Sequence, residues 1–205
     1  LSKFCSKNDI ITPISTEDEL TRKTLGYRGP QNYFAPLSDH GLNDLMNLII
    51  KLQRKPHYYN HISAKEVKAN IGEKIWESYY KFCIERNPWD RLISFYYWRY
   101  KSGLRPTISD FLRSNVPVIL KKRGIELYTI NDVVAVDRVC FFENLTEEME
   151  IVRMQLGLPE KLNLPRAKAS FRIDKRHYRA ILNDWEREKI AELFHTEIAL
   201  YGYEY

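Results

Sequence analysis

Arg86 and Ser94 flank an Asn87-Pro88 step in the stretch CIERNPWDRLISFYYW (83–98), where an apolar run hands over to a helical pattern. A helix N-terminus offers unpaired backbone N–H groups and the positive end of its dipole to an anion. An arginine and a serine gathered at such an edge can hold one phosphate, the guanidinium giving charge and paired donors and the hydroxyl a further donor. Ser94 lies about 9 Å along the helix from Pro88 at about 1.5 Å per residue, which an arginine folding back along the helix partly covers. The competing reading is local, with Arg86 paired to Asp90 and Ser94 merely tolerated by the helix. Arg91 is expected to face solvent or pair with a carboxylate, and Trp89 and Trp98 to pack in the core. A second candidate for chemistry is His61, just outside the start of a capped helix. Its ordinary pKa near about 6.5 suits proton removal near neutrality, although a surface or capping histidine is the plainer reading.

The elements that must position these residues alternate. YYKFCIE (79–85) reads as a strand, Asn87 as an N-cap, Pro88 as the first helical residue and Gly103 as the helix's end. VVAVDRVCFFE (133–143) reads as a second strand, buried on both faces if the sheet is parallel, and Thr146, Glu147 and Glu148 open a helix ended by Gly157 and Pro159. Strand then helix, twice, predicts an α/β fold with a mainly parallel sheet flanked by helices. Ligands of such sheets bind at the carboxyl ends of strands, where Arg86 falls.

Elsewhere, Leu42, Leu45, Met46, Ile49 and Leu52 recur at helical spacing over 39–54, and Ser63 with Glu66 forms a capping box ahead of a helix closed by Gly72. A short capped helix is expected over 107–115. Asp184 is expected to cap a last helix with Trp185, Ile190, Leu193, Phe194 and Ile198 on one face. Leu1 and Phe4 read as the end of an amphipathic helix, and 16–34 as a polar, extended loop.

The chain has 205 residues, 44% of them apolar, enough for one core, and a single domain over 1–205 is expected. Lys and Arg number 32 against 27 Asp and Glu, a net +5 spread along the whole length. That charge fits a mixed solvated surface or a modest positive field around an anionic ligand. It forms no basic stripe and accompanies no recognition motif, so nucleic acid is not expected as a partner. Cys5, Cys83 and Cys140 make no disulfide framework or zinc spacing, and no metal is expected. Cys83 and Cys140 read as small buried hydrophobes, favouring a reducing compartment. No apolar run approaches the roughly 18 residues of a membrane span and the first residues form no signal peptide, so a cytoplasmic location is expected.

KFCIERNPWDRLISFYYW resembles the 3′-phosphate-binding motif of sulfotransferases that use 3′-phosphoadenosine 5′-phosphosulfate. RVCFFENLTEEMEIVRMQLGLP resembles that family's later strand, turn and helix, FHTEIALYGYEY its closing helix, and LPRAKASFR (164–172) the segment that returns to the nucleotide. The likeness runs from about His57 to the C-terminus and is nearest to the carbohydrate-directed branch. It implies a P-loop-like sulfotransferase fold, with Arg86 and Ser94 on the 3′-phosphate of the co-substrate. By family position Lys168, Ser170 and Arg172 come near the 3′-phosphate or adenosine, though a basic surface loop explains them equally well.

HIS (61–63) resembles the His-x-Ser stretch that bears the base in uronyl-directed members, which makes His61 the candidate base. His57 is the second candidate and a possible acceptor contact, and Glu66 is tied up in its capping box. Tyr27, Arg28 and Gln31 offer hydrogen-bonding and aromatic surface suited to a sugar. The implied reaction moves a sulfuryl group in line to a hydroxyl of an oligo- or polysaccharide and leaves 3′,5′-adenosine bisphosphate. The family's Lys-Thr-x-x-Thr-Ser loop for the 5′-phosphosulfate is not in this sequence. It is expected, with its strand, upstream of residue 1, where a removed anchor would also make the Golgi lumen the compartment; its natural loss would leave a non-catalytic binding relative.

Overall fold

Ser15, Ser63, Asn87, Thr107 and Asn183 each open a helix by accepting backbone N–H groups on the side chain. They do so in a computed structural model that describes residues 1–35, 41, 42, 46, 49, 50, 54–101, 104–162, 164 and 171–205. The chain divides into two compact units, Leu1–Ser78 and Tyr79–Tyr205.

In the first unit, residues 2–4 form a turn and not the end of a helix, and Phe4 N–H donates to the Leu1 carbonyl at 2.8 Å. The expected loop over 16–34 contains helix α1 (Thr16–Thr24). That helix buries no residue, so it carries no apolar stripe. It is held by the Ser15 cap, by Glu17, Asp18 and Glu19 at its positive end and by Arg22 and Lys23 at its negative end. Ile11 bridges Gln31 and Phe34 bridges Pro56, both antiparallel. Helix α2 (Ala64–Ile71) starts with the expected reciprocal box of Ser63 and Glu66 and ends at Gly72, whose φ of +79° suits glycine. Helix α3 (Glu73–Ser78) follows and buries Trp76. Of the helical pattern read over 39–54, Leu42, Met46 and Ile49 are helical and exposed, while Leu45 and Leu52 lie outside the described residues.

The second unit is α/β. Strand β1 (Phe82–Glu85) leads through Arg86 and Asn87 into helix α4 (Pro88–Arg99). Helices α5 (Ile108–Arg113) and α6 (Val116–Lys122) follow. The expected long strand over 133–143 is in fact two. Strand β3 (Val133–Val134) forms a hairpin with β2 (Thr129–Ile130) across Asn131 and Asp132, both at positive φ, and β4 (Arg138–Phe141) pairs with β1 in parallel. The Asn-Asp turn reverses the chain ahead of β3, and the expected run breaks over 135–137, where the Asp137 carboxylate accepts the Lys81 N–H at 2.7 Å. Nor is the parallel pair buried on both faces, since Ile84 is 50% exposed.

Helix α7 (Leu145–Gln155) packs beside β4, and Gly157 at φ +61° ends it. The single closing helix expected at the C-terminus is two, α8 (Asp184–Leu193) and α9 (His195–Tyr201), divided at Phe194. Asn183, not Asp184, supplies the cap, in a reciprocal box with Glu186. Trp185 leaves the expected face and lies beneath the Arg113 guanidinium, 4.7 Å from the ring centre. Leu92, Ile93, Phe111, Ile190 and Phe194 make the centre of the core that fixes α4 against α5 and α8. Among the described residues no helix is long and apolar enough to cross a membrane.

Candidate anion-binding site

Asn87 builds the corner on which the site depends. Its side-chain oxygen accepts the N–H groups of Trp89 and Asp90, its own N–H donates to Glu143 Oε1 at 2.6 Å, and its Nδ2 donates to the Tyr178 hydroxyl at 3.2 Å. Pro88 takes the first helical position, where the missing N–H costs nothing. Arg86 is thereby held at the carboxyl end of β1, its guanidinium 4.2 Å from the centre of the Phe142 ring.

The Arg86 guanidinium meets Asp90 through Nε at 2.8 Å and through Nη2 on the same carboxylate oxygen. The other oxygen of Asp90 accepts Arg172 Nη1 at 2.5 Å. Arg172 is anchored further by the Asp174 carbonyl at 2.8 Å and the Arg176 carbonyl at 2.6 Å. Burial pushes the Asp90 carboxyl up, but the two guanidiniums outweigh it and hold the group below its ordinary value. Arg86, Ser94 and Arg172 line a single cavity of about 240 Å³ with Arg91, Phe95 and Trp98. The two readings of Arg86 are therefore compatible: it pairs with Asp90 and shares a cavity with Ser94.

Arg91, which lines the same cavity, does pair with carboxylates. Its Nη1 lies 3.0 Å from Glu85 and 4.0 Å from Glu197, and its Nη2 donates to the carbonyls of Leu120 and Arg123. Glu85 also accepts the Tyr128 hydroxyl at 2.8 Å and the Arg86 backbone N–H at 3.0 Å. Burial, then the Glu85 charge, pushes the Tyr128 phenol up, and the same two influences raise the Glu197 carboxyl. A Cβ on Gly124 would stand 2.8 Å from Arg91 Nη2 and 2.9 Å from Glu197 Oε1, so a side chain there would displace the ends of both groups.

No protein-family model matches the chain, and no solved structure does. A protein of Archaeoglobus fulgidus described as uncharacterized is 33% identical over 103 residues, which are 48% of this chain and 84% of the archaeal one. This chain belongs to that protein's family. The archaeal protein's description names no activity, and what the site does must be argued from its side chains.

Lys168 and Ser170 lie outside the described residues. His61, His57, Tyr27, Arg28 and Gln31 all belong to the first unit. His61 is exposed at φ +63°, two residues before the Ser63 cap. The His57 ring meets Tyr58 edge-on at 4.8 Å, and its carbonyl accepts Asn70 Nδ2. Glu66 is engaged as expected, by Ser63 and by the Tyr59 hydroxyl at 2.6 Å. Arg28 Nε donates to the Cys5 carbonyl, and Gln31 Nε2 donates to the carbonyls of Ser6 and Asp9. These two side chains fasten the 5–9 segment, and Tyr27 closes a turn by donating its N–H to the Arg22 carbonyl. Among the described residues no group of three or more His, Cys, Asp or Glu is placed to hold a metal.

Trp89 is buried as expected, but Trp98 is half-buried on the cavity wall, stacked on Phe95 at 5.7 Å. Residues 91, 94, 95 and 98 fall at i, i+3, i+4 and i+7, one stripe of a helix. That spacing was the signal for the wall. Nothing local to Asp90 announces its contact with Arg172, which spans 82 positions of the chain.

Proposed function

We propose that this protein is a sulfotransferase that moves a sulfuryl group from 3′-phosphoadenosine 5′-phosphosulfate to a carbohydrate hydroxyl. The observation that supports it is the shared cavity of Arg86, Ser94 and Arg172 at the carboxyl end of a parallel strand. In this reading the two guanidiniums and the hydroxyl hold the 3′-phosphate of the co-substrate and so fix the nucleotide's position. Alignment and charge neutralisation are most of what such a transfer asks of a protein, as in phosphoryl transfer. The co-substrate supplies the activated sulfuryl group; as its bond to the leaving phosphate breaks and the bond to the acceptor oxygen forms, a base removes the hydroxyl proton. His61 is the residue proposed for that base. The fold proposed with this function is the P-loop-like sulfotransferase fold, with β1–α4 and β4–α7 as two of its strand–helix units.

Calorimetric titration of 3′,5′-adenosine bisphosphate tests the site. Arg86→Ala should weaken binding roughly 10- to 100-fold, the range for losing a hydrogen bond to a charged group. Indistinguishable affinities for the two proteins would remove the nucleotide from this cavity. His61→Ala should abolish labelled-sulfate transfer and keep nucleotide binding; near-normal transfer would eliminate it as the base.

A further inference from the structure

We propose that Asp90 is a positioning residue for the anion cavity, bridging Arg86 and Arg172 so that removing its negative charge weakens the capture of an anion. This rests on the reading of the cavity as the 3′-phosphate site and extends it to a residue that would not itself touch the ligand.

Charge alone argues the opposite. A carboxylate beside an anion site repels the anion, so deleting it should tighten binding. The geometry favours the bridge. Asp90 Oδ2 accepts both Nε and Nη2 of Arg86, and Oδ1 accepts Nη1 of Arg172. Both oxygens are therefore committed to holding cations, and the trio still carries two positive charges against one negative.

Donors remain for a ligand: among the described residues, Arg86 Nη1 makes no hydrogen bond, and Arg172 Nη1 carries a second N–H beyond the one on Asp90. Arg172 also reaches the carbonyls of Asp174 and Arg176, so Asp90 ties that stretch of chain to the first turn of α4. Without the carboxylate, two long cationic side chains from distant parts of the chain would repel and spread over their rotamers, and an anion would have to gather them at its own cost in affinity.

The test is calorimetry with 3′,5′-adenosine bisphosphate on wild type, D90N, R172A, the D90N/R172A double variant and R86A, all below their melting temperatures. D90N should bind about 10-fold more weakly, the scale of about one charge-assisted hydrogen bond. In the R172A background D90N should add little, because the bridge is already broken; a mere loss of packing would instead add in full. Wild-type or tighter binding by D90N overturns the proposal, as does full additivity in the double variant. If D90N does not fold, D90E carries the test, since it keeps the charge and displaces the carboxylate by one methylene: weaker binding supports the bridge and unchanged binding overturns it. R86A separates the two levels. Normal binding by R86A would sink the phosphate reading itself, whereas weak R86A with tight D90N would sink the Asp90 role alone.

Discussion

Arg86 and Arg91 belong to one strand–helix corner and line the same cavity, both against carboxylates, and they differ in the partners that hold them. Arg91 places its guanidinium on Glu85 and on the carbonyls of Leu120 and Arg123, with Glu197 at 4.0 Å, and its side chain is 13% exposed. Glu85 in turn is served by Arg91, Tyr128 and the Arg86 N–H. Arg91 is thus held by Glu85 and two carbonyls while it also lines the cavity, and both oxygens of Glu197 are buried without a hydrogen bond among the described residues. Arg86 gives Asp90 two of its nitrogens and lines the cavity with Ser94 and Arg172. Two arginines of one motif thus differ in burial and in the partners that hold them more than in residue type.

The sharpest way to break this contrast is to remove each arginine and measure unfolding in urea. Arg91→Ala would leave Glu85 and Glu197, 3% and 1% exposed, without their cation, and losing one partner of a buried ion pair costs about 3–5 kcal/mol. Arg86→Ala should cost about 1 kcal/mol or less, as expected for a partly exposed pair, while carrying the loss of anion binding. Equal destabilisation by the two variants would erase the distinction.

A smaller effect sharpens it through pH, because Asp90, beside Arg86, and Glu197, near Arg91, are shifted in opposite directions. Asp90 is held below its ordinary value of 3.8, so its contribution to stability is full above the unfolded value and is lost as pH falls through the depressed one. Glu197 is raised above its ordinary 4.5, first by burial, so its contribution is full below that value and is lost as pH rises through the raised one. Melting temperatures should therefore show D90N least stable relative to wild type at neutral pH and converging with it in acid. E197Q should do the reverse, matching wild type in acid and gaining on it toward neutrality. Parallel pH profiles for the two variants would contradict the assignment of their environments.

What could be read from the sequence was local. The Ser63/Glu66 box, the Asn87 cap and Pro88 act within one turn of a helix, and all three stand where their residue types put them. Helix α1 escaped because it is held by a cap and end charges with nothing buried, so periodicity had no signal to give. The division of 133–143 escaped because apolar content runs on through Ala135 and Val136, where the chain bends between β3 and β4. In the site, the Arg86–Asp90 pair was legible at i,i+4, and the bridge onward to Arg172 was not, being a product of tertiary packing. Arg28 and Gln31 looked available for a sugar by type, and in the structure Arg28 Nε donates to the carbonyl of residue 5 and Gln31 Nε2 to those of residues 6 and 9.

The most direct measurement is a crystal structure of the chain with 3′,5′-adenosine bisphosphate. The 3′-phosphate should lie within hydrogen-bond reach of the Arg86 and Arg172 guanidiniums and of Ser94 Oγ, with Asp90 still between the arginines and Arg91 still on Glu85. A phosphate bound away from Arg86 and Ser94, or a cavity left empty at saturating nucleotide, would contradict the account.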